Sequence, residues 1–138
     1  MSVPALLVVA TLAFGVWGFL LKKAVIAMPP LAAYVAFAAT NLLLVPVYLL
    51  LARLWRTPLK FSVAGVGYAA GASLAVATGT IALLYAMRTR DAGEAVAITG
   101  SYPVITMILG VILLSEPITA GRVAGVAAIA AGVVLVTR

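Results

Sequence analysis

Residues 94–114 read EAVAITGSYPVITMILGVILL. The one charge in this run, Glu94, stands at its first position. An α-helix rises about 1.5 Å per residue, so the run reaches about 30 Å, the thickness of a bilayer's hydrocarbon core. Membrane strands are about 10 residues long and alternate polar with apolar side chains. This run does neither and is read as a transmembrane helix. Its interior holds an unusually polar stretch, Thr99-Gly100-Ser101-Tyr102-Pro103 and then Thr106. Pro103 has no N–H for the carbonyl of Thr99, and a carbonyl freed in lipid must find a partner or line a wet cavity. A kinked helix with hydroxyls and an aromatic ring near mid-bilayer suits a substrate site. The plainer reading is a packing kink whose hydroxyls bond to their own helix.

The same apolar pattern recurs on both sides. Helices are expected over about 4–27, 30–51, 62–87, 93–114 and 119–137, a single all-α integral membrane domain with five transmembrane helices over residues 1–138. Pro29-Pro30 separates the first two. Arg53 to Lys60, with Trp55 and Pro58, reads as an interfacial loop with an aromatic anchor. Arg88, Arg90 and Asp91 close the third helix, and Ser115-Glu116-Pro117 breaks the fourth. Asp91 with Glu94 three residues on has the form of a capping box. Pro46, near Asn41, repeats in the second helix what Pro103 does in the fourth, here at the carbonyl of Leu42. Met1-Ser2-Val3 carries no basic side chain and Lys22-Lys23 lies at the wrong end for a cleavable signal.

Composition supports this reading and removes whole function classes. The 138 residues are 66% hydrophobic and 9% charged, with a mean hydropathy of +1.28. Soluble domains hold about 45–50% apolar and ~25% charged residues. A chain with so little polar surface cannot cover a core with a wettable shell, and disorder needs the opposite composition. There is no His and no Cys, which removes thiolate chemistry, Cys/His zinc sites and His general-base catalysis. The three acids, Asp91, Glu94 and Glu116, all lie near segment ends. A membrane enzyme is therefore disfavoured, and no metal or cofactor is expected. The net charge of +6 comes from cations scattered among short loops. Nucleic-acid binding needs a clustered basic face, so these residues are expected to set orientation and touch headgroups.

Small residues recur at helical spacing. Gly67, Gly71, Ala75 and Gly79 mark the third helix; Gly121, Gly125, Ala128 and Gly132 mark the last. Such stripes let helix backbones approach closely. They are expected to pack within the bundle, with a subunit interface along the last helix as the alternative. Lys22 and Lys23 are expected to snorkel to headgroups.

With five spans the two ends face opposite sides. One side then holds Arg53, Arg56, Lys60 and Arg122; the other holds Lys22, Lys23, Arg88, Arg90 and Arg138. Lys/Arg asymmetry sets orientation, and here it is nearly absent. A chain inserting both ways can pair with an inverted copy of itself, the arrangement of transporters whose sites lie between inverted repeats. An antiparallel homodimer is expected.

The residues also resemble a family. Phe14-Gly15-Val16-Trp17-Gly18 followed by Lys22-Lys23 is similar to the opening of an EamA domain of the drug/metabolite transporter superfamily. So is Ala82 to Arg90 leading into Ala92-Gly93-Glu94. The clearest part is Tyr102-Pro103, Leu109-Gly110, then Leu113-Leu114-Ser115-Glu116-Pro117-Ile118-Thr119, and Gly121, Gly125 and Gly132 in the last helix. The resemblance implies one half of a ten-helix inverted-repeat transporter, like the small five-helix bacterial and archaeal branch. It thus implies a multi-pass protein of the cell membrane that carries small metabolites, amino acids or drugs. Glu116 matches the acidic position before the last helix and is read as a cap or an ion pair with Arg122. Two features depart from relatives. No Arg lies between Pro30 and Leu51, and no carboxylate lies between Pro4 and Leu21, which leaves proton coupling through a first-helix acid without a residue.

The expected function is that of a secondary carrier working by alternating access as a dimer; the nucleotide-binding run Gly-x-x-x-x-Gly-Lys is missing. The expected substrate-binding residues are Trp17, Asn41, Tyr85, Thr99, Ser101, Tyr102 and Pro103. Tyr and Trp would give apolar walls, Ser and Thr would orient the ligand, and Pro103 would supply a kink and a free carbonyl. The alternative is a non-transporting membrane subunit, or a half-carrier that needs a different inverted partner chain.

Overall fold

The computed structural model describes residues 2–138. All regular structure in them is helical: α1 (Val3–Ala27), α2 (Pro30–Leu43), α3 (Val45–Leu54), α4 (Val63–Ala86), α5 (Ala92–Thr99), α6 (Pro103–Leu114) and α7 (Ala120–Val136). These make five helices, because α2 with α3 and α5 with α6 are interrupted single segments. Val3–Ala27, Pro30–Leu54, Val63–Ala86 and Ala92–Leu114 are each long and apolar enough to cross a membrane. α7 is equally apolar but has 17 residues, about 25 Å of helix. The chain is an all-α membrane protein.

The ends of the helices follow from local chemistry. Pro30 opens α2 at a position where its missing N–H costs nothing. Ser62 caps α4 by accepting the Gly65 N–H at 3.1 Å, and Thr119 caps α7 by accepting the Arg122 N–H at 3.3 Å. Each such cap contributes about 1 kcal/mol. Two helices end on residues in the left-handed region, Arg56 after α3 (φ 51°) and Ser115 after α6 (φ 53°). Both are followed within two residues by proline, Pro58 and Pro117, which cannot continue a helix.

Two compact units are present. In Phe19–Arg88, α2 packs against α4. The buried side chains there are Leu21 and Val25 of α1, Ala33 of α2, Thr80, Leu83 and Leu84 of α4, and Met87 at its end. Leu21 and Val25 are four residues apart and so share one face of α1. The Lys22 ammonium donates to the Met87 carbonyl. It does not snorkel outward as expected. A cation at a helix C-terminus meets the negative end of the macrodipole and the carbonyls that lack an intrahelical donor.

The second unit combines the chain up to Gly18 with Thr89–Arg138. Here α5 and α6 both pack against α7, with Ala95 buried. Gly18 lets α1 meet α5 closely: a Cβ on Gly18 would stand 2.9 Å from Cγ2 of Val96. Asp91 does start α5, but its side chain accepts no cap hydrogen bond, so the expected capping box is not formed. Glu94 is drawn instead to Arg90, whose Nη1 lies 2.6 Å from Oε1. An ion pair to a guanidinium outcompetes a side-chain bond to a neutral backbone amide. Glu116 pairs with Arg122 at 3.0 Å, as the sequence suggested.

The stripe glycines make no close contact within their own units. A Cβ placed at Gly67, Gly71 or Gly79 of α4, or at Gly121, Gly125 or Gly132 of α7, would meet nothing within 4 Å. The expected close packing inside the bundle is therefore not made by these glycines within either unit.

Candidate functional site

The break between α5 and α6 is the centre of the candidate site. Ser101 lies about 14 Å along the segment from Ala92, close to the middle of a ~30 Å hydrocarbon core. Gly100 (φ −63°, ψ −5°) and Tyr102 (φ −51°, ψ −25°) stay in the right-handed helical region. The backbone is therefore tightened there, with no reversal. Pro103 is the first residue of α6, where proline's fixed φ fits and its absent N–H is harmless.

Hydrogen bonding at the break differs from expectation. The Thr99 carbonyl that Pro103 cannot serve accepts the Tyr102 N–H at 3.2 Å. At the α2–α3 break, N–H groups at the cap reach the carbonyls of Thr40, Asn41 and Leu42. The freed carbonyls are thus taken up by shorter-range bonds of the 3₁₀ kind, which lets lipid surround the segment without orphaned backbone groups. The hydroxyls are likewise turned inward to their own backbone. Thr99 Oγ1 donates to the Ala95 carbonyl at 2.9 Å. Ser101 Oγ donates to Ile98 at 2.7 Å, and Thr106 Oγ1 to Tyr102 at 3.2 Å.

The remaining expected site residues are distributed between the two units. Thr99, Ser101, Tyr102 and Pro103 come together by contiguity at the break. Tyr102 is 62% exposed. Trp17 belongs to the same unit, next to Gly18, where α1 meets α5 at Val96 one turn before Thr99. Its ring packs edge-on against Phe14, centroids 6.4 Å apart at 76°. Asn41 and Tyr85 belong to the other unit. Asn41 stands just before the α2–α3 break and donates Nδ2–H to the Phe37 carbonyl at 3.0 Å. Tyr85, in the last turn of α4, is 54% exposed.

Three features escaped sequence reasoning: the Lys22–Met87 cap, the left-handed turns at Arg56 and Ser115, and the Glu116 carboxyl lying against Gly110, where a Cβ would stand 3.3 Å from its Cδ. The last had a signal, a glycine six residues before an acid that an adjacent helix could pair.

The arrangement is a helix broken at mid-span, with aromatic and hydroxyl side chains and no formal charge between Glu94 and Glu116. Such discontinuous helices line solute sites in membrane carriers. No curated protein and no solved structure matches the chain. The family model described as the EamA-like transporter family matches residues 1–138. With five apolar helices, two of them interrupted near their middles, and this match along its length, the chain belongs to the EamA-like transporter family.

Proposed function

We propose that the protein is a small secondary transporter of metabolites, amino acids or drug-like compounds, working by alternating access in the cell membrane of a bacterium or archaeon. Two copies inserted in opposite orientations form the transporting unit. The observation that carries this reading is the family match over residues 1–138, since members of that family are membrane transporters of small solutes. The mid-span breaks support it, because a helix interrupted near the midplane provides both a hinge and a polar patch. The even division of Lys and Arg between the two sides supports dual insertion. The open glycine stripes on α4 and α7 leave backbone surface that a second copy can approach.

The chain has no cysteine, so a single Cys beside Arg138 reports its own side of the membrane. Labelling intact cells with a membrane-impermeant maleimide, then relabelling after permeabilisation, is expected to give about half the signal from outside. Complete or absent outside labelling means one fixed orientation and points to an inverted partner chain. Solute flux in vesicles holding only the purified chain tests transport itself; no flux of any solute favours the non-transporting subunit.

A further inference from the structure

All the charge of residues 24–87 sits at the corner between α3 and α4. It consists of Arg53, Arg56 and Lys60, all positive and all exposed, in one stretch of eight residues. No acid is in reach. α4 has 24 residues, about 36 Å of helix, and the first acid of the chain, Asp91, comes after its far end. Glu94 and Glu116 are already held by Arg90 and Arg122. Helix ends do not supply the missing counter-charge either. The negative C-terminus of α3 and the positive N-terminus of α4 both lie at this corner, and their partial charges are about equal and opposite. Three full positive charges therefore set the local field, and an anion among them removes their mutual repulsion.

The backbone holds this cluster together. The Thr57 N–H donates to the Ala52 carbonyl at 2.9 Å and the Arg56 N–H to the Arg53 carbonyl at 3.2 Å. This pair of bonds closes a helix whose next residue turns left-handed, a position that glycine usually takes. Here it is Arg56, at φ 51°. An L side chain adopts that conformation at a cost that glycine does not bear. An arginine standing there points to a use for its side chain. The apolar neighbours fix its depth. Trp55 is 73% exposed and Phe61 80%, so rings and cations alternate along the corner, and Trp anchors at the level of lipid headgroups. Guanidinium groups at that level match phosphate oxygens in a planar fork. A zwitterionic headgroup would bring its own ammonium to three cations; an anionic one brings none.

We infer that the α3–α4 corner binds the phosphodiester of anionic phospholipids through Arg53, Arg56 and Lys60, with Trp55 and Phe61 seated in the interface. Such a site needs no transport activity and is the same for either insertion. Trp17 and Trp55 are the two tryptophans, so Trp17→Phe leaves Trp55 as the one indole. That chain is reconstituted in phosphatidylcholine vesicles with a minor share of brominated phosphatidylglycerol or brominated phosphatidylcholine, whose bromines quench an indole they touch. Phosphatidylglycerol is expected to reach Trp55 with about tenfold higher relative affinity. Arg56→Gly should reduce that preference about fivefold, while raising the unfolding midpoint in neutral detergent. A purely structural Arg56 would move the midpoint alone. Arg53→Gln combined with Lys60→Gln should leave a preference of about twofold or less. Lys23→Gln, separated from the corner by the whole of α2 and α3, should keep it within about twofold of the parent. Sodium phosphate should lower the preference no more than sodium chloride of the same ionic strength. Equal quenching by the two brominated lipids, or a preference that survives either Arg56→Gly or the double variant, overturns the inference. Loss of the preference in phosphate but not in chloride assigns the cations to a free phosphate anion and overturns the lipid site as well.

Discussion

The Glu116 carboxyl lies directly over the Cα of Gly110: a Cβ at position 110 would be 3.3 Å from Cδ and 3.4 Å from Oε2. The Glu116 N–H also donates to the Gly110 carbonyl at 3.1 Å. The same carboxylate accepts from Arg122 Nη1, which in turn donates to the Pro117 carbonyl at 3.2 Å. One glycine thus gives the α6–α7 corner the room to close on its own ion pair.

Gly110→Ala sets two effects of similar size against each other. Alanine in place of glycine inside a helix contributes up to about 1 kcal/mol, and displacing the half-exposed carboxylate by a few tenths of an ångström costs about as much. Thermal unfolding in detergent is expected to change by less than about 1 kcal/mol for this variant. Gly110→Leu leaves no such accommodation and should lose about 1–3 kcal/mol. Equal stability of the leucine variant and the parent would show that the corner is not closed in this way.

Ser115 holds φ at 53°, a conformation that costs a non-glycine residue about 1 kcal/mol. Ser115→Gly is expected to raise the unfolding midpoint and Ser115→Val to lower it. Midpoints that move in the opposite order would place position 115 outside the left-handed region.

Gly18 and Val96 form a contact that tolerates no added atom without movement. Gly18→Ala should destabilise by about 1–3 kcal/mol through overpacking, and adding Val96→Ala should return part of it. The measurement is a double-mutant cycle on thermal stability. Additive losses would mean that the two residues do not touch.

Lys22 binds the Met87 carbonyl at the end of α4. Lys22→Met keeps the aliphatic stem and removes the donor. Leaving that carbonyl short of a partner should cost about 1–3 kcal/mol, whereas Lys23→Met, at an exposed position, should change stability by less than about 0.5 kcal/mol. A larger effect at position 23 would reverse the assignment.

Pro103→Ala restores an N–H that can bond the Thr99 carbonyl in the regular α pattern. Stability is expected to stay level or rise, while solute flux falls because the break closes over. Unchanged flux in this variant would separate the break from transport.

Much of this molecule was legible in its residues. Long apolar runs between Pro29-Pro30, Arg53–Lys60, Arg88–Asp91 and Ser115–Pro117 mark the helices, because backbone in lipid has to satisfy its own hydrogen bonds. The Glu116–Arg122 pair could be read from spacing and charge. The fate of the freed carbonyls could not. Whether Thr99 keeps a bare carbonyl depends on a few degrees of backbone tightening at Gly100 and Tyr102, which composition does not encode. Lys22 was misread for a similar reason: snorkelling and capping need the same side chain at the same distance from the helix end, and only the position of Met87 separates them.

The sequence by itself determined that the chain is helical and lives in a membrane. Hydropathy is a sum over residues and needs no knowledge of contacts. It also determined which chemistries were impossible, because His and Cys are missing altogether. Tertiary structure alone decided which polar groups remain open. At the α5–α6 break the hydroxyl hydrogens of Thr99, Ser101 and Thr106 turn to their own backbone, as do the amides of Gly100, Ser101 and Tyr102. Hydrogen bonds are directional and each hydrogen is spent once, so their balance emerges only when the backbone has taken its final path.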